Sequence, residues 1–162
     1  MVRRDLIKEK LILRMLFISV VFILISAYLL YLHYANAESF CDFSAEFSCD
    51  IVNKSIYSEF PPGSGIPVSL LGIFTFLIVI VALFLIKHNK KFYIGAFKIN
   101  QKILASFIFY LMIVILIFAL YLLYTELFLI LSLCILCILL DILIIIMLVL
   151  SYKLWGICYE KK

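Results

Sequence analysis

The chain of 162 residues is 67% hydrophobic and 15% charged, with a mean hydropathy of +1.25 and a formal net charge of +4. A soluble domain of this size has no interior large enough for so much apolar surface, so the composition excludes a water-soluble globule and places the chain in a membrane. The positive charge forms no basic patch interleaved with aromatic residues, which argues against a nucleic-acid surface.

Four apolar runs, at 11–33, 66–86, 103–124 and 127–150, each approach the ~20 residues that cross ~30 Å of hydrocarbon at about 1.5 Å per residue. None shows the apolar/polar alternation of a barrel strand, and only helices otherwise satisfy their own backbone groups in lipid. The expected fold is all-α and integral to the membrane: one domain, 1–162, built as a four-transmembrane-helix bundle. The first run follows Arg3, Arg4, Lys8 and Lys10, and Ala35-Asn36-Ala37 comes after it, a pattern shared with secretory signals. Its apolar stretch from Leu11 to Leu32 exceeds the ~7–15 residues of a signal core, so a retained helix is expected.

The loop 34–65 comes next. Ser44 is a candidate N-cap, Glu46 lies in the following turn, and Phe47, Ile51 and Val52 fall at helical spacing before Pro61 and Pro62 stop the helix. A short amphipathic helix over the bundle mouth is expected. Pro67 falls just inside the second helix, where proline is tolerated. The third and fourth helices are expected to meet in a tight turn at Thr125-Glu126.

Positive charge orients the bundle. Five Lys or Arg stand at or before the first helix, one (Lys54) lies in 34–65, five flank 87–102, none lies at 125–126, and three are C-terminal. By the positive-inside rule both termini and the middle loop face the cytoplasm, and the 34–65 loop faces outward. The expected location is a cytoplasmic (inner) membrane, crossed several times.

The five cysteines sort by compartment. Cys41 and Cys49 lie in the outward loop, Cys134 and Cys137 near the outer end of the fourth helix, and Cys158 in the cytoplasmic tail. Outside the membrane disulfides persist, whereas cytoplasmic thiols stay reduced. With the helix starting near Leu127, Cys134 lies ~10 Å below the outer boundary at 1.5 Å per residue, within reach of a loop folded back over the helix ends. Cys134, Cys137 and Asp141 follow the i, i+3, i+7 pattern of one helix face. Small apolar cysteines also simply pack in membrane helices. A zinc site is a further option, but the seven residues between Cys41 and Cys49 exceed the usual two to four of zinc hooks; no metal is expected. Two dithiol pairs within reach exchange disulfides through mixed-disulfide intermediates and so relay electrons. A relay ending inside a membrane needs a lipid-soluble acceptor, for which quinones are the obvious class.

The stretch CDFSAEFSCDIVNKSIYSEFPPGSGIPVSLLG, followed later by CILC, resembles the vitamin K epoxide reductase family in its short prokaryotic form, without a fused thioredoxin domain. The pieces that carry the resemblance are C-x7-C, Ser55 six residues after the second cysteine, Tyr-Ser-x-Phe at 57–60, Gly65-Ile66-Pro67, Gly72 and the late C-x-x-C. They span roughly 12–150. In quinone-linked oxidases of the DsbB type, by contrast, C-x-x-C lies in the first outer loop. The resemblance implies that Cys137 faces a quinone (ubiquinone, menaquinone or phylloquinone type), that Cys134 exchanges with Cys49, and that Cys41 takes the mixed disulfide with an extracytoplasmic thioredoxin-fold (DsbA-like) partner. It further implies a supporting hydrogen bond from Ser55. The chain departs from the family at two places. Asp141 stands where an aromatic residue or histidine is common. Val68, followed by Ser69, stands at the position where animal enzymes carry a quinone-contacting asparagine.

Ser69 and Asp141 are therefore the candidate headgroup contacts. An ionisable group in a membrane helix is costly and usually marks a functional site. Asp141 is expected to hydrogen-bond a quinone oxygen or relay a proton, the alternative being an interhelical hydrogen bond to Ser or Tyr. Activation of Cys134 has no visible source, since it is expected past the first turn with no Lys or Arg near in sequence. Tyr28, Tyr31, Tyr34, Tyr121 and Tyr124 suit an interfacial aromatic belt better than a pocket. The expected function is a membrane thiol-disulfide oxidoreductase that supports disulfide formation. The alternatives are a non-catalytic four-helix membrane protein with a structural loop disulfide and a vitamin K epoxide or quinone reductase proper.

Overall fold

The computed structural model describes residues 2–35, 39–42, 47–88, 92–94 and 97–159. Four long helices carry the chain through the bundle: α1 (Val2–Ala35), α3 (Val68–Lys87), α4 (Gln101–Thr125) and α5 (Ile135–Tyr159). Each contains a span long and apolar enough to cross a membrane. Between α1 and α3 lie the five-residue α2 (Cys49–Asn53) and a 3-10 turn (Ile56–Ser58). A small antiparallel hairpin, β1 (Phe92–Ile94) with β2 (Phe97–Ile99), joins α3 to α4 and is an addition to the expected all-helical bundle.

The bundle is inside-out in polarity. Lipid is as apolar as leucine, so outward positions such as Leu13, Phe17, Leu24, Val114 and Ile117 are exposed hydrophobics. Inward positions are selected by fit instead. Met15, Phe76, Val79, Leu83, Ile108, Met112, Met147 and Leu154 fill one buried core between the four helices. Gly72 lets α1 and α3 close tightly, because a Cβ there would stand 3.2 Å from a ring carbon of Phe22. Phe22 in turn stacks on Phe76 with ring centroids 3.7 Å apart. At the end of the bundle holding the hairpin, Lys8 donates to Gln101 (2.6 Å) and Trp155 to Ser106 (3.0 Å), so the first turns of α1, the start of α4 and the end of α5 share one end.

Four element bounds differ from those expected. The α4 helix does not stop at 125–126; it continues as a π-helical turn (Glu126–Ile130), and the chain reverses at 131–134, with Leu131 in the left-handed region at φ 55°. The α5 helix accordingly begins at Ile135, not near 127, and runs on to Tyr159. A polar pair in an apolar run imitates a turn, but burial of Glu126 at 4% exposure keeps it inside the bundle. In the loop, the capping residue is Ser48, whose hydroxyl accepts from the Ile51 N–H (3.1 Å). Ser44 and Glu46 lie outside the described residues. Val52 is buried while Phe47 and Ile51 are exposed, so the apolar face of α2 is narrower than its spacing suggested. Pro67 is the N-cap residue of α3, not its first helical residue.

Candidate functional site

The site is assembled at the end of the bundle opposite the hairpin, where the loop folds back over the helix ends. Cys49 opens α2, and Ser48 anchors that short helix through its cap. Cys41 lies beside it, joined to Cys49 by a disulfide across a Cα–Cα distance of 5.8 Å. The Ser39 N–H donates to the Asp50 carboxylate (3.3 Å), which holds the segment bearing Cys41 against α2. Two further bonds hold α2 to α1: the Asn53 amide donates to the Leu29 carbonyl (2.8 Å), and His33 Nδ1 donates to the Asn53 carbonyl (2.7 Å). Ser55 lies at the end of α2, where its hydroxyl donates to the Val52 carbonyl (2.7 Å) and closes the last turn.

These anchors bring the loop cysteines onto the inner pair. Cys41, Cys49 and Cys134 are all buried in one cluster with Leu29, Leu32, Val52 and Leu136, and Cys137 packs against it. Cys134 is not past the first turn of its helix; it caps the helix. Its carbonyl accepts from the Ile138 N–H (3.0 Å), and its sulfur accepts from the Cys137 N–H (3.3 Å), as an N-cap side chain does. A helix N-terminus favours a thiolate, a feature of Cys134 that the sequence did not reveal. Hydrogen bonding from Cys137 holds the Cys134 thiol below its ordinary range, against the opposing effect of burial.

A cavity of about 420 Å³ opens beside the inner pair. Of the four cysteines, only Cys137 lines it. Phe22, Phe76 and Phe118 make much of its wall apolar, and Tyr57 and Phe60 of the loop roof it. Ser55, Ser69 and Asp141 line it as well, so every candidate contact residue lies on this one cavity. The Ser69 hydroxyl is shut away from solvent without a hydrogen-bond partner among the described residues. Asp141, one turn below Cys137, makes no hydrogen bond with them either, so the interhelical bond considered from sequence does not form there. Apolar walls with a few unpaired polar groups suit a flat, weakly polar ring bearing carbonyl oxygens. The tyrosines Tyr31, Tyr34, Tyr121 and Tyr124 are exposed, as an interfacial belt requires, whereas Tyr28 is half-buried against the cysteine cluster and departs from that expectation.

Glu126 was missed from sequence. It starts the π-helical turn, is buried, and its carboxylate accepts from the Cys134 N–H (3.2 Å) while lining the same cavity. The available signal was a lone carboxyl in an apolar run, eight residues before Cys134.

Among the described residues no cluster of His, Cys, Asp and Glu is arranged to hold a metal ion. Residues 13–152 match the family model described as the Vitamin K epoxide reductase family. No curated protein matches the chain.

Proposed function

The chain belongs to the vitamin K epoxide reductase family, whose members are in general membrane thiol-disulfide and quinone oxidoreductases coupled to thioredoxin-like proteins, and from that premise we propose a specific relay. Electrons pass from an extracytoplasmic thioredoxin-fold protein to Cys41/Cys49, then to Cys134/Cys137, then to a membrane quinone, in a cytoplasmic membrane with both termini inside. The observation that supports this reading is the meeting of both cysteine pairs in one buried cluster, with Cys137 alone reaching the cavity.

A thiolate of the partner attacks the Cys41–Cys49 disulfide at Cys41, and a second partner thiol resolves the mixed disulfide, leaving Cys41 and Cys49 reduced. Cys49 then attacks Cys134 in a Cys134–Cys137 disulfide, and the Cys137 thiolate is released at the cavity wall. Cys41 attacks Cys49, re-forms the outer disulfide and frees Cys134. An outer disulfide with free Cys134 and Cys137 corresponds to the stage before electrons leave the inner pair. A quinone, when bound, would supply a two-electron, two-proton sink. Ser69 and Asp141 would hold it at the cavity wall, while Ser55 braces the end of α2 and the aromatic wall excludes water.

Cys41→Ala tests the relay in native membranes after acid quenching, alkylation and disulfide mapping by mass spectrometry. The expected product is a Cys49–Cys134 bridge, with quinone-dependent oxidation of Cys134/Cys137 in the unmodified protein. Inner cysteines that stay reduced under every condition would make the C-x-x-C packing alone.

A further inference from the structure

A buried carboxylate in a membrane helix is expensive, and Glu126 is spent at one place. It is 4% exposed, starts the π-helical turn of α4, and accepts from the backbone N–H of Cys134 at 3.2 Å. The same carboxylate neighbours the Cys137 thiol and borders the cavity that Cys137 and Asp141 also line. Capping Cys134 alone does not account for it, since a glutamine oxygen would accept that N–H without the cost of an ionisable group. Among the described residues no Lys or Arg lines the cavity or pairs with Glu126; the titratable groups facing it are Cys134, Cys137 and Asp141. Its surroundings therefore hold proton donors and a ligand space, but no counter-ion.

We propose that Glu126 is the proton carrier of the inner dithiol, taking protons from Cys137 and Cys134 and delivering them into the cavity. This rests on the relay reading above. In the step it serves, two S–H bonds break and one S–S bond forms between Cys134 and Cys137. Two electrons leave the sulfurs for a quinone. Two protons follow in turn, each passing from a thiol to the Glu126 carboxylate and then to a quinone oxygen, and Glu126 ends as it began. The carboxylate is suited to this because it touches the dithiol on one side and the cavity on the other.

The test uses the full chain in membranes or detergent and two readouts. The first needs no quinone: a chemical thiol reductant takes Cys134/Cys137 to the dithiol and a small-molecule disulfide oxidant returns the pair to the disulfide while infrared difference spectra are recorded. A carboxyl C=O band that changes with the redox state, is present in wild type and in Asp141→Asn, and is lost in Glu126→Gln is the expected result. Absence of the band in wild type, or its survival in Glu126→Gln, overturns the proposal. The wild-type spectrum is informative even if a variant fails to fold.

The second readout is the rate of quinone-dependent oxidation of the pair. Glu126→Gln keeps an acceptor for the Cys134 N–H, whereas Glu126→Ala does not. Both are expected to slow oxidation about 100-fold, the low end of the usual range for proton-transfer catalysis. A wild-type rate in Glu126→Gln with a slow Glu126→Ala would reduce Glu126 to a cap and overturn the proposal. Wild type that shows the carboxyl band but no quinone-dependent oxidation would instead count against the relay to quinone and leave proton transfer at the dithiol supported.

Discussion

Removing the Ser69 hydroxyl is expected to affect ligand binding and stability in opposite directions. Its oxygen is buried at the cavity with no hydrogen-bond partner among the described residues. A buried hydroxyl left unpaired costs on the order of 1–3 kcal/mol, whereas a hydrogen bond made by the same group contributes about 0.5–1.5 kcal/mol net. Ser69→Ala therefore removes a penalty from the ligand-free protein and a contact from the ligand-bound one. Thermal unfolding in detergent without quinone is expected to shift little or upward. The KM for quinone is expected to rise about two- to twelve-fold, which is that hydrogen-bond range at about 1.4 kcal/mol per factor of ten. Disulfide exchange between Cys49 and Cys134 does not involve the cavity and serves as the internal control. A variant with lower thermal stability and an unchanged KM would refute the reasoning, because the hydroxyl would then be stabilising the fold and not awaiting a ligand.

Three other substitutions test neighbouring parts of the site. Asp141→Leu is expected to raise the KM for quinone about five-fold, equivalent to roughly 1 kcal/mol, with a smaller rise in Asp141→Asn, which keeps hydrogen-bonding atoms; steady-state rates identical to wild type in both would remove Asp141 from the site. Asn53→Ala removes the amide that donates to the Leu29 carbonyl at 2.8 Å, a carbonyl that keeps its own place in the α1 ladder. A loss of about 0.5–1.5 kcal/mol in unfolding free energy is expected, with slower recovery of the Cys49–Cys134 bridge in the Cys41→Ala background. Gly72→Val drives methyl groups into the Phe22 ring, which already stands 3.2 Å from a built Cβ. It is expected to cost about 1–3 kcal/mol by overpacking and to weaken quinone binding by narrowing the cavity; unchanged stability and affinity would show that α1 and α3 are not held as close as described.

The sequence alone determined the class of this protein, because the bilayer acts on local properties. Span length, the placement of Lys and Arg and the absence of strand alternation can all be read without knowing any contact. The cysteines were legible for the same reason: two pairs near one face of the membrane, with Asp141 continuing the stripe of Cys137, are facts of spacing. The helix ends were not. In a run as uniformly apolar as 103–150 the hydrophobic pattern carries almost no phase, since lipid-facing and core-facing positions take the same residues. Thr125-Glu126, the polar break in that run before the cysteines, therefore reads as a turn.

Tertiary structure decided otherwise. Packing of α4 against α5 keeps Glu126 inside, moves the reversal to 131–134 and so converts Cys134 from a mid-helix residue into a helix cap. The cavity is likewise a property of several elements at once, bounded by α1, α2, α3, α4 and α5, and no local pattern announces it. An unpaired hydroxyl at Ser69 and a carboxylate against Cys134 become visible only when the helices around them are in place. Sequence spacing determines which groups a helix carries, but the partners that satisfy or leave bare those groups come from other helices.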